Sequence, residues 1–103
     1  MKRIRELISK CVGFEWDSGN LHKNWIAHNV DYREIEQAII NRPIVFMEDS
    51  THSQSEERFS AVGSTDVNRL LTVVFTIRGD RVRPISSRDM QIEEKRLFYE
   101  EGY

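Results

Sequence analysis

Apolar residues along this chain recur with two different periods, and the change from one to the other divides it. Ile4, Leu7 and Ile8 fall at helical spacing and predict a short helix over 2–10. Phe14 and Trp16 in GFEWD (13–17) alternate, which predicts a short strand ending in a turn at DSGN. Leu21, Trp25 and His28 lie on one side of a helix over 21–28, and Asn29 suits the left-handed residue that closes it. Asp31 and Glu34 have the spacing of a reciprocal capping pair, with Val30 and Ile35 placed as the hydrophobic staple around them. The helix predicted over 32–41 buries Ile35, Ala38 and Ile39, and Pro43 ends it.

Beyond Pro43 the period becomes two. PIVFMED (43–49), ERFSAVG (57–63) and LLTVVFTIR (70–78) read as strands, and the polar DSTHSQSEE (49–57) reads as an exposed loop. Gly79-Asp80 is a two-residue turn into RVRPISS, so Arg78 should oppose Arg81, Ile77 Val82, Thr76 Arg83 and Phe75 Pro84. Alternation then separates a core face of Leu71, Val73, Phe75, Ile77, Val82 and Pro84 from a face carrying Thr72, Val74, Thr76, Arg78, Arg81, Arg83 and Ile85. Three guanidinium groups on one face repel unless an acid or anion sits between them. A last helix over 88–102, opened by Ser86 with Asp89 three residues on, should bury Met90, Leu97 and Phe98. The pattern is α+β: an antiparallel sheet of three to five strands, two helices before it and one after it.

Length and charge sharpen this picture. A chain of 103 residues suits one domain, which we take as 14–103 preceded by an extension over 1–13. Cys11 is the only cysteine, which excludes an intrachain disulfide and a four-thiolate zinc site. The three histidines show no ligand spacing, so neither metal nor cofactor is expected. There is no signal peptide or membrane-length apolar run, which predicts a cytoplasmic protein. The net charge of -2 conceals blocks of +3 over 1–13, -6 over 14–57, +4 over 58–88 and -3 over 89–103. The third block carries six arginines, a residue type suited to phosphate or carboxylate recognition.

The words FEWD (14–17), Asn20, Lys23, Asn24, the His28-Asn29-Val30 triplet before an acidic capped helix, EERF (56–59) with Gly63, the 70–89 hairpin and a Glu-rich last helix with Tyr99 resemble the BrnT family of type II toxin–antitoxin ribonucleases. The resemblance covers about residues 14–101. It implies a RelE-like fold, a metal-independent endoribonuclease that cleaves RNA and halts translation, and neutralisation by a BrnA-type antitoxin that contacts DNA. Asn29 stands where the family usually has Gly, and Pro84 where isoleucine is usual; Pro84 lacks a ladder donor and should face an unpaired edge.

Metal-free RNA cleavage needs a base for the 2′-hydroxyl, cations for the crowded phosphorus and an acid for the departing 5′-oxygen. Arg58, Arg78 and Arg83 are the candidates for phosphate, against a reading as solvated ion pairs with Glu57, Asp80 or the last helix. His28, whose unperturbed pKa is about 6.5, and Glu57 are the candidates for proton transfer; the competing readings are a helix-end histidine and an exposed strand-start acid. Lys23, Arg81 and Arg88 are further RNA contacts, with Arg88 equally able to pair with Glu94 or a backbone carbonyl. His22 and His52 are expected in solvent, Arg69 on the surface, and Trp16 and Trp25 either in the core or stacked on bases. The rival to catalysis is a binding module of the same fold that acts as antitoxin partner and transcriptional co-repressor.

Overall fold

The computed structural model describes residues 2–49 and 56–102, so most of the loop expected over 49–57, with His52, lies outside the described residues. Four helices and five strands run in the order α1 (Lys2–Ser9), β1 (Gly13–Phe14), α2 (Lys23–His28), α3 (Tyr32–Ile40), β2 (Val45–Asp49), β3 (Arg58–Ser64), β4 (Leu70–Arg78), β5 (Arg81–Asp89) and α4 (Ile92–Glu101). They form an α+β fold on one sheet of order β1-β5-β4-β3-β2. The sheet is mixed, not purely antiparallel as the pattern predicted: β1 pairs with β5 in parallel. A two-residue strand entering from a helix carries too little periodicity to reveal its direction.

The hairpin register follows from its turn. Gly79 adopts φ 60°, which a two-residue loop of this kind demands and glycine supplies at least cost. Arg78 opposes Arg81, Ile77 Val82, Thr76 Arg83 and Phe75 Pro84, as the alternation required. The register then slips, so that Val74 opposes Ser86 and Ile85 is the extra residue of a bulge. β1 covers only Arg81 and Val82, which leaves the outer edge of β5 without a strand partner at Pro84. Two buried asparagines serve that edge instead: Asn20 Nδ2 donates to the Pro84 carbonyl (2.9 Å) and Asn24 Oδ1 accepts from the Ser87 N–H (2.8 Å).

Helices cover both faces of the sheet. On one, α1 and α3 close a core containing Ile4, Ile35, Ala38, Ile39, Phe59, Ala61, Leu71, Val73 and Phe75. Ile4 is fully buried, which contributes about 1.5–3 kcal/mol and ties α1 into the domain. β3 approaches α3 closely at Gly63, where a Cβ would lie 2.1 Å from the Ala38 carbonyl oxygen. On the opposite face a smaller cluster joins Val62, Met90 and Phe98 at the α4 end. The rest of that face is left to the arginines.

Two helix boundaries match the sequence expectation, and the start of the last helix does not. The Asp31–Glu34 capping box is present, and Asn29 takes the left-handed cap at φ 57°. Ser86 and Asp89 do not open the last helix, because pairing with β4 extends β5 to Asp89; the cap is Gln91, whose N–H donates to Glu94 Oε1 (2.7 Å). The buried residue of α2 is Asn24, while Trp25 is 53% exposed and outside the core. Among the described residues no helix is long and apolar enough to cross a membrane.

Candidate active site

Three adjacent strands place one residue each in a single row: Arg58 on β3 opposes Thr76 on β4, and Thr76 opposes Arg83 on β5. With neighbouring strands about 4.8 Å apart, the two arginine backbones stand about 10 Å from each other across buried Thr76. Arg78 lies two residues further along β4 on the same face. Lys23 joins them from the start of α2, whose position is fixed by the Asn24–Ser87 bond. These five residues, together with Glu56, Gly19, Asn20, Pro84 and Ile85, line a cleft of about 190 Å³.

The cleft divides its cations into two kinds. Arg78 donates from Nε and Nη2 to the two oxygens of Glu56 (both 2.9 Å) and from Nη1 to Glu15 Oε2 (3.2 Å). Arg83 donates from Nη1 to the same Glu15 oxygen (3.0 Å) and is bidentate to Asp17 (2.9 and 3.1 Å). The Arg83 guanidinium holds the Asp17 carboxyl below its ordinary range, and Arg78 does the same for Glu56. Arg58 and Lys23, by contrast, make no side-chain hydrogen bond or ion pair among the described residues. The arrangement is two arginines braced by acids, beside two cations that lack a hydrogen-bonded partner among the described residues, with Glu56 within electrostatic reach of Arg58.

The partners that the sequence suggested for the arginines, Glu57 and Asp80, are therefore not those found. Glu15 and Asp17 come from the segment that follows β1, some 66 residues from Arg83, a separation that local reading could not bridge. Glu57, the candidate for proton transfer, is turned away to a bidentate pair with Arg3 of α1, and Glu56, to which the sequence assigned no role, lines the cleft instead. Strand alternation into Arg58 carried that signal.

The remaining candidates lie outside the cleft lining. His28 is exposed at the end of α2. Arg81 is exposed beside Gly13 of β1. Arg88 is bidentate to Glu94 (2.7 and 2.9 Å) and also donates to the Asp89 carbonyl. Arg69 is not a free surface residue: it bonds Glu34, Asp89 and the carbonyls of His28 and Asn29, joining the ends of α2, α3 and β5. Among the described residues no three of His, Cys, Asp or Glu are grouped to hold a metal ion.

A comparison with curated proteins finds no match. A family model described as ribonuclease toxin, BrnT, of type II toxin–antitoxin system matches residues 16–94, a span that includes Asp17, Lys23, Glu56 and all three cleft arginines. Matched over 79 of its 103 residues, the chain belongs to the BrnT family of type II toxin–antitoxin ribonuclease toxins.

Proposed function

We propose that this toxin is a metal-independent endoribonuclease that halts translation by cutting RNA in the arginine cleft, and that a BrnA-type antitoxin neutralises it. The observation that carries the reading is the placing of two cations without a hydrogen-bonded partner among the described residues, Arg58 and Lys23, beside two arginines held in place by acids. A phosphate entering between Arg58 and Arg83 meets one guanidinium, that of Arg83, already fixed by acids, and a second that no hydrogen bond among the described residues holds back.

Chemistry follows from what entry displaces. As the phosphate takes Arg78, Glu56 loses its bidentate partner and becomes the carboxylate at hand to accept the 2′-hydroxyl proton. The 2′-oxygen forms a bond to phosphorus, the bond from phosphorus to the 5′-oxygen breaks, and the Lys23 ammonium donates the proton that the departing oxygen requires. The products are a 2′,3′-cyclic phosphate and a 5′-hydroxyl. His28 and Glu57 stand outside the cleft, which is why these roles pass to Glu56 and Lys23. Analysis of the RNA ends tests the assignment: cyclic phosphate ends that form far more slowly with Glu56→Gln support it, and 5′-phosphate ends refute it.

One observation favours a second reading. Three carboxylates already neutralise Arg78 and Arg83, as in a structural network that serves a non-catalytic antitoxin partner and co-repressor. A folded, antitoxin-free chain that leaves RNA intact but represses with its antitoxin would establish it.

A further inference from the structure

We propose that a hollow between the start of α2 and the start of α3 is a nucleobase subsite for single-stranded RNA held in the neighbouring cleft, an inference that rests on the ribonuclease reading above. The hollow measures about 250 Å³ and is lined by Leu21, His22, Trp25, Asp31, Tyr32 and Arg33. It is set apart from the cleft, and none of its residues belongs to the cleft lining.

Its walls are flat. The Trp25 indole is 53% exposed on a helix that buries the polar Asn24, an inversion of the usual preference that costs hydrophobic stabilisation. The other tryptophan is engaged within the fold: Trp16 donates to Glu36 (2.8 Å) and meets the Tyr32 ring edge-on with centroids 5.6 Å apart. Asp31 clamps the Arg33 guanidinium through Nε (3.3 Å) and Nη2 (2.9 Å), and that guanidinium lies 5.5 Å from the Tyr32 ring centre. Indole, phenol and a fixed planar guanidinium are the surfaces on which unstacked bases lie. A phosphate suits the place poorly, because Asp31 faces it and already neutralises Arg33.

Position connects the hollow to the cleft. Gly19, Asn20 and Lys23 line the cleft, whereas Leu21, His22 and Trp25 line the hollow, so the first turn of α2 divides the two. A helix is about 10–12 Å across. A strand with its phosphate against Arg58 and Lys23 therefore crosses this turn and delivers a base one or two nucleotides away to Trp25.

The test is binding of a short, labelled 2′-O-methyl RNA to the full chain, measured by fluorescence anisotropy for wild type, Trp25→Ala and Trp25→Phe, with an abasic residue moved along the RNA. Trp25→Ala should bind about tenfold more weakly at an unchanged salt slope, with Trp25→Phe close to wild type. An abasic residue at one position should weaken wild type to a similar degree and add little to the effect of Trp25→Ala. Binding is measured well below the melting temperature of each chain, since the indole is only half exposed and its loss removes some packing. Wild type that binds RNA with Trp25→Ala matching it overturns the subsite alone, and so does a Trp25→Ala chain impaired only in antitoxin binding. Wild type that neither binds nor cuts RNA overturns the ribonuclease reading itself.

Discussion

Replacing Arg69 with methionine keeps the aliphatic stem of the side chain and removes a guanidinium that joins three elements. Its contacts with Glu34 (both 3.2 Å) lie between side chains only 25% and 26% exposed, intermediate between a surface pair and a buried one, and are worth about 1–2 kcal/mol. Asp89 is 65% exposed, so its arm adds less than about 1 kcal/mol. The carbonyls of Asn29 (2.9 Å) and His28 (3.4 Å) lose a donor at a cost of about 0.5–1 kcal/mol. Together these predict a loss of about 2–3 kcal/mol and a melting temperature lower by about 10–15 °C. Urea and thermal unfolding followed by circular dichroism would measure both. RNA cleavage well below the transition should persist, because Arg69 does not line the cleft. A variant within about 0.5 kcal/mol of wild type would refute the view that this arginine fastens the ends of α2, α3 and β5.

Three further outcomes follow from the fold. Gly63→Ala should cost about 1–3 kcal/mol, read as a lower urea midpoint at constant slope, because its Cβ has no room beside the Ala38 carbonyl. Ile4→Ala should cost about 2–5 kcal/mol in the same assay, showing that α1 belongs to the folding unit although it lies outside the family match. Asp17 and Glu56 have folded pKa values below their ordinary 3.8 and 4.5, so their stabilising contribution is complete above those values and is lost as pH falls through the lowered ones. Stability should therefore decline below about pH 4, and an Asp17→Asn, Glu56→Gln chain should show a flatter acid limb in melts run across pH.

What the sequence disclosed was local. The two-residue turn at Gly79-Asp80 determined four cross-strand pairs, and the Asp31–Glu34 box placed the start of α3, because each depends on residues within a few positions of one another. Features that depend on distant pairing were hidden. The β4 partner carries β5 through Ser86–Asp89, over the capping spacing that those two residues display. Glu15 and Asp17 reach Arg83 only because β1 lies parallel to β5. Of the residues proposed for the site, Lys23, Arg58, Arg78 and Arg83 meet in one cleft, whereas His28, Glu57, Arg81 and Arg88 do not. Trp25 illustrates the limit of hydrophobic pattern: its size argues for the core, yet Asn24 takes the inward position because its amide oxygen is needed by the Ser87 N–H.

The same geometry identifies the arginine whose loss isolates chemistry from folding. Arg83→Ala would strand Asp17 and leave Glu15 with Arg78 alone, whereas Arg58 lines the cleft without a hydrogen-bonded ion partner among the described residues. The central measurement is incubation of the purified, antitoxin-free chain with a long unstructured RNA in EDTA, beside Arg58→Ala prepared identically and shown to melt at the same temperature. The account predicts that wild type cuts the RNA and that Arg58→Ala cuts at least a hundredfold more slowly, on the order expected for loss of a cation at the developing phosphorane charge. Equal cleavage by the two chains, or none by a folded wild type, would contradict it.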